Sequence, residues 1–466
     1  MPSVPTTGSP APSGSAPAAD GGNTGLARVI GSKMLLLFVI GDILGAGIYA
    51  LTGKVAGKVG GAIWVSFLVA FVLAFLTATA YVELVSKYPR AAGAALYTNQ
   101  AYRNPFLTFM VAFAVMASGI TSASAAARAF GGRYLAEFVD LPTVLVGIGF
   151  VLVLAAINFR GISESVKVNL VLTLIELTGL LIILGIGVFT LFSGTGEPSR
   201  AMDFKDGVSL PLAVLGGAAL AFYALLGFED SVNIAEETKE PHRSFPRALF
   251  GGLALAGLIY MAVAFTASMV VETKVLAGSS GPLLEVVDAA GVSFPPKLFA
   301  LIALIAVTNT ALINMIMASR LVYGMARQGI VPAVLGKVQT ARRTPVIAIV
   351  FTTLLAILLV ATGDLTDLAD TTVLLLLCVF FIVNVSVLVL RRDPHPLGDR
   401  AYRAPTWAPV LGALACLVLI SPLSGRPGDV YLRGLVLLLI GAALWVVNRL
   451  FVGRVETINA EELVEA

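Results

Sequence analysis

The stretch FVIGDILGAGIYALTG, residues 38–53, lies inside the first long apolar run of the chain and carries a carboxylate, Asp42, with the closely spaced glycines Gly41, Gly45 and Gly47. A helix crossing lipid hides its backbone behind bulky apolar side chains, so both features need a reason.

The setting is a membrane. Hydrophobic residues make up 58% of the 466 and charged residues only 13%, against roughly 25% charged in a soluble domain. Twelve apolar runs, near 33–53, 62–86, 106–130, 142–159, 166–192, 210–236, 246–271, 297–323, 345–363, 370–390, 406–423 and 430–452, approach the ~20 residues that cross a ~30 Å hydrocarbon core. Such continuous runs are not the short alternating strands of a β-barrel. If the first run enters from the cytoplasm, most of the 31 Lys and Arg fall in the tails and even-numbered connections. Glu285, Asp288, Asp364, Asp367 and Asp370 fall in the odd-numbered ones. The positive-inside rule then places both termini in the cytoplasm and the chain in the cell membrane. The net charge of +3 reflects this asymmetry and implies no nucleic-acid partner.

Residues 1–25, rich in Ser, Pro, Ala and Gly, read as a disordered cytoplasmic tail with no basic segment of a cleaved signal. The acidic residues 456–466 form a second tail. Cys378 and Cys416 lie in different apolar runs and read as packing residues, while His242 and His395 have no companions at metal-ligand spacing. The sequence contains neither a G-x-x-x-x-G-K-[ST] phosphate loop nor a G-x-S-x-G elbow. These observations predict a non-enzyme without cofactor or ATP, one that moves, passes or senses something across the bilayer.

Four acids sit at membrane depth: Asp42, Glu176, Glu229 and Asp230. Such groups are functional by default. Glu83 and the Glu236–Glu237 pair lie near run ends, where a structural role is favoured. The sixth run repeats the pattern of the first, with Gly227 followed almost at once by Glu229 and Asp230. Glycine-interrupted segments at matching places in two five-run halves point to a transporter site built from broken helices. The competing reading is plainer: Gly41 and Gly45 are a small-xxx-small pair of the kind that packs membrane helices together.

GAGIYALTG resembles the first-helix motif of the amino acid-polyamine-organocation superfamily, and FYALLGFEDSVNIAEETKEPHRSFPRAL is similar to its sixth helix and following loop. YVELVSKYPRAAGAALYTNQAYRNP and ASRLVYGMARQGIVP resemble its second-helix segment and the end of its eighth helix. The resemblance implies an all-α polytopic membrane protein with twelve transmembrane helices. They would form a LeuT-like five-plus-five inverted repeat, 33–192 and 210–390, followed by helices 11 and 12 over 406–452.

The resemblance also implies roles. The N–H groups of Ala46 and Gly47, with Gly45 and Ile48 beside them, would hold a substrate carboxylate. The carbonyls of Ile43, Tyr223 and Leu226, flanked by Ala224 and Gly227, would take its amine, and Tyr223 would gate the site. Ala46 stands where many relatives carry Ser or Thr, so one hydroxyl contact is missing. Glu176 stands where several relatives carry lysine, and with Glu229 and Ser319 it is an ion-coupling candidate. Glu176 as proton carrier is favoured, with a sodium ion near it as the alternative.

The expected activity is secondary transport of an amino acid by alternating access, as proton symport. An amino acid or polyamine exchanger, a sodium-coupled carrier, and a channel or substrate-sensing receptor are the alternatives. Pocket lining is expected near Met116, Gly119, Asn309 and Asn314, and embedded Asp42 and Asp230 leave a cationic substrate open. Deleting residues 2–24 should leave uptake unchanged, and a large loss of rate on deletion would show the tail to be regulatory.

Overall fold

In hydrocarbon every backbone N–H and C=O needs an internal partner, so each apolar run folds as a helix. The structure, a computed structural model, describes residues 28, 30–90, 93–160, 166–339, 344–392 and 401–452, with backbone alone for 166–169 and 451–452. The expected tails, 1–25 and 456–466, and His395 lie outside the described residues.

Run one is broken into α1 (Ser32–Ile43) and α2 (Ala46–Val59), bent by 42°. There follow α3 (Ile63–Lys87), α4 (Gly93–Tyr102), α5 (Pro105–Phe130), α6 (Arg133–Ala136), α7 (Thr143–Phe159) and α8 (Val166–Ser193). Run six is α9 (Leu210–Ala221) continued by 3-10 turns at Phe222–Leu225 and Asp230–Ile234. Then come α10 (Pro241–Val270), α11 (Thr273–Gly278), α12 (Pro282–Ala289), α13 (Pro296–Arg327), α14 (Val346–Thr362), α15 (Leu365–Leu390), α16 (Trp407–Ile420) and α17 (Gly428–Val452). Among the described residues extended pairing is limited to isolated bridges. Among the described residues eight spans are long and apolar enough to cross a membrane, up to nine counting the bent pair, and α7, α14 and α16 are shorter apolar helices. The chain is a polytopic helical membrane protein.

The short helices α4, α11 and α12 fall in connections that carry no long apolar signal. The tenth run also begins earlier than its hydropathy suggests. Asp364 caps α15 by accepting the Asp367 N–H at 2.8 Å, so Asp367 and Asp370 belong to the helix and not to the loop before it. Asp370 is buried against Arg426, whose Nε lies 3.3 Å from Oδ1. Hydropathy places an acid in a loop unless a distant arginine is known to meet it.

Small residues set the inner spacing. The segment SGITSASAAARA of α5 lets neighbouring helices approach closely, and there Thr121 meets Thr372 of α15 at 2.7 Å while the Ser124 hydroxyl donates to the Ala356 carbonyl at 3.3 Å. The outward surface carries Leu145, Leu258, Leu354 and Phe192, at up to 85% exposure, as a lipid-facing surface should.

One end of the bundle is held by Glu83. Its carboxylate takes Arg391 in a two-pronged pair, at 2.9 and 2.6 Å, and also accepts the Ala404 N–H at 2.8 Å. Beside it Lys87 donates to the Leu390 carbonyl at 2.6 Å. This matches the structural role favoured for Glu83. Arg391→Met would strand a buried carboxylate and cost about 3–5 kcal/mol, read as a clear fall in the thermal-unfolding midpoint of the detergent-solubilised protein.

Candidate functional site at two helix breaks

Interrupting a helix frees backbone groups, and several of them at each interruption find partners within the protein. α1 ends with the Leu44 N–H on the Ile40 carbonyl and the Gly45 N–H on the Ile43 carbonyl, each at 2.8 Å. The Ile43 carbonyl also accepts the Tyr260 hydroxyl from α10 at 2.7 Å. α2 restarts at Ala46, whose N–H donates to the Thr310 hydroxyl of α13 at 2.9 Å. In run six, Leu226 is extended and Gly227 has φ +114°, a conformation L side chains rarely adopt. The Gly227 N–H is taken by the Glu229 carboxylate at 2.9 Å, and the Gly227 carbonyl accepts the Asp230 N–H at 3.0 Å.

The glycines mark where elements touch. A Cβ on Gly47 would lie 2.5 Å from the Cα of Ala224, and one on Gly227 would lie 2.4 Å from the Asp42 carbonyl oxygen. At Gly41 it would strike the Thr173 hydroxyl, and at Gly45 the Thr310 hydroxyl at 2.7 Å. Both sequence readings therefore have content: all four are close-packing glycines, and while Gly41 meets α8 and Gly45 meets α13, Gly47 and Gly227 bring the two breaks together.

A cavity of about 360 Å³ lies at this junction. Ile43, Gly45, Ala46 and Gly47 from the first break line it, as do Tyr223, Ala224, Leu226 and Gly227 from the second. Asp42, Glu229 and Asp230 also face it, together with Gly119, Asn309 and Asn314. Its lining extends to Gly93 and Ala94 of α4, to Glu237 and to the exposed Arg320 of α13, so it opens toward the end of the bundle held by Glu83. The Tyr223 hydroxyl lies 3.0 Å from that of Ser122 on α5, which ties the ring across the cavity wall.

Several expected members lie elsewhere. Ile48 and Met116 are fully buried outside the lining. Glu176 sits behind the wall, where its Oε1 accepts the Asn309 amide N–H at 3.1 Å and its backbone carbonyl accepts the Tyr49 hydroxyl at 2.5 Å. Ser319 bonds with Asn158 at 3.1 Å and lies about 15 Å along α13 from Asn309 at 1.5 Å per residue, so Glu176 and Ser319 are not brought together. Thr310, Tyr260 and Ser122 were not singled out from the sequence. The polar cluster Asn309, Thr310 and Asn314 in an apolar run is a signal for the first, but nothing distinguishes Tyr260 among 11 tyrosines.

From sequence, a side chain at Gly47 is expected to abolish binding without loss of the protein. The 2.5 Å approach to the Ala224 backbone changes that expectation, since overpacking there costs about 1–3 kcal/mol. Gly47→Ala should lower the thermal-unfolding midpoint and ligand-induced stabilisation together. An unchanged midpoint would show that the breaks can part without cost.

Comparison with known proteins supplies the family. The chain is 27% identical to the branched-chain amino acid permease BcaP of Bacillus subtilis, over 92% of this chain and 94% of that one. It is 26% identical to the methylthioribose transporter of the same organism, over 90% and 93%. Against the chloroplastic cationic amino acid transporter 9 of Arabidopsis thaliana it is 26% identical over 67% of this chain and 58% of that one. The amino acid permease family profile matches residues 30–443, so the chain belongs to that family, within the superfamily its motifs resemble.

Proposed function

We propose that the protein is a secondary transporter that carries an amino acid across the cell membrane by alternating access. The observation that carries this reading is the cavity between two interrupted segments whose backbones touch at Gly47 and Gly227. Discontinuous segments are how a transporter exposes backbone dipoles at membrane depth. In this reading residues 33–192 and 210–390 are the two inverted five-helix repeats of a LeuT-like fold of twelve spans, 406–452 adds helices 11 and 12, and both termini are cytoplasmic. The cavity opening beside Arg320 and Glu237 is then the cytoplasmic mouth, and the conformation is inward-facing.

The relatives' names cover branched-chain and cationic amino acids and a thioribose, so the proposal stops at an amino acid as substrate class. Proton symport is the favoured coupling. Glu229 lines the cavity and Glu176 does not, which makes Glu229 the carboxylate better placed to exchange a proton with water there. Neutralising it would weaken its charge-assisted bond to the Gly227 N–H, linking proton binding to the geometry of the break. The separation along α13 of Ser319 from Asn309, the partner of Glu176, gives less support to a sodium site built from Glu176 and Ser319.

Counterflow of labelled amino acid in proteoliposomes tests the carrier reading, because a channel or receptor cannot show it. Glu229→Gln should abolish accumulation driven by a pH gradient while sparing exchange of labelled for unlabelled substrate. Should accumulation survive there and fail in Glu176→Gln, the coupling role passes to Glu176; wild-type uptake that ignores pH and follows sodium would replace the proton altogether. Tyr223→Ala removes a lid but leaves the Tyr223 carbonyl, so it should keep measurable affinity and slow transport. Tyr223→Phe should be mild, and a wild-type rate in the alanine form would end the gate assignment.

A further inference from the structure

Two consecutive residues of α13 meet the first break with bonding capacity left over. Thr310 Oγ1 accepts the Ala46 N–H at 2.9 Å, and its own hydroxyl proton has no acceptor among the described residues. A threonine hydroxyl donates once as well as accepting. Asn309 is 4% exposed and donates its amide N–H to Glu176 at 3.1 Å, while its Oδ1 has no donor. The amide nitrogen is the end turned to Glu176, which leaves the amide oxygen over. Buried polar atoms are rarely left unpaired without cause. Both residues line the cavity, and among what they leave over are a hydroxyl donor on Thr310 and an acceptor on Asn309, which match the two ends of a zwitterion.

We infer that Asn309 and Thr310 read the two charged ends of the substrate. The Thr310 hydroxyl donates to the carboxylate where α2 begins, at the end of that helix whose dipole favours an anion. Ala46 has no hydroxyl of its own, and Thr310 supplies one from a neighbouring helix. Asn309 Oδ1 accepts from the ammonium. An acceptor beyond the first break is needed, because the Ile43 carbonyl already takes the Gly45 N–H and the Tyr260 hydroxyl, which fill its two lone pairs. Glu176 is here a positioning residue that acts through Asn309. This inference rests on the proposal that an amino acid binds in the cavity.

The probes are the standard amino acid giving the largest thermal shift on the purified full chain, its carboxamide and its deaminated acid. Thr310→Val should weaken binding of the amino acid about tenfold, the scale of one hydrogen bond to a charged group, and leave the carboxamide nearly unchanged. Thr310→Ser should retain wild-type affinity. Asn309→Ala should weaken the amino acid to a similar degree and spare the deaminated acid. Should the valine form not fold, Thr310→Ala against Thr310→Ser makes the same comparison. Equal losses for amino acid and carboxamide, or no loss in either, would reduce Thr310 to a structural cap and overturn the inference while leaving the transporter reading intact. If the wild-type chain gives no shift or uptake with any amino acid, the transporter reading itself falls and takes the inference with it.

Discussion

Two interrupted segments touch beside their breaks, and the rest of the bundle is arranged around that contact. Gly47 lies against Ala224 and Gly227 against the Asp42 carbonyl, so neither segment has room to gain a methyl group on its facing side. Interrupted backbone in a membrane is tolerable only if protein or cavity water satisfies it. Tyr260 of α10 and Thr310 of α13 come to the first break, and Glu229 closes on the second from within its own segment. The alanine- and serine-rich face of α5 serves the same end, since helices must pack closely before a hydroxyl can reach across.

The embedded acids divide by what holds them. Glu83 and Asp370 face the arginines Arg391 and Arg426 at 2.6 and 3.3 Å. Both pairs are buried, and such pairs are costly to break by removing one partner; they fasten elements together. Glu229 instead accepts a backbone N–H inside the cavity wall, where changing its charge alters the strength of a bond without emptying a buried ion pair. Carboxylates in or beside apolar runs thus have different physical situations.

How far the sequence is legible follows from the range of the forces involved. The extents of α3, α5, α8, α13 and α17 agree with the apolar runs to within a few residues, because lipid solvation acts on each segment separately. The interruption at Gly45 and the one at Gly227 were legible because glycine beside acid is too costly to occur idly in a membrane helix. The family followed from motifs that contain these same residues. Asp370 was misplaced because its partner, Arg426, is 56 positions away. Thr310 and Tyr260 are 264 and 217 positions from the groups they satisfy; the polar cluster around Thr310 hints at it, while no local pattern marks the Tyr260 hydroxyl. Ser319 and Glu176 were joined on a family pattern, whereas in this fold each has its own neighbour.

The two breaks differ in a way that bears on exchange with a ligand. A neutral hydroxyl on a backbone N–H is worth about 1 kcal/mol net, whereas bonds to a charged group run to about 1.5–3 kcal/mol. The Ala46 N–H is held by a threonine hydroxyl and the Gly227 N–H by a carboxylate. A substrate carboxylate would therefore outcompete the partner at the first break, and would meet an equal at the second. The hydroxyl also need not leave when it is outcompeted, since rotating one bond turns it from acceptor to donor. On the proposed reading the first break is the one built to give up its internal bond, and the second, closed by its own Glu229, is the one that would change if a proton neutralised that carboxylate.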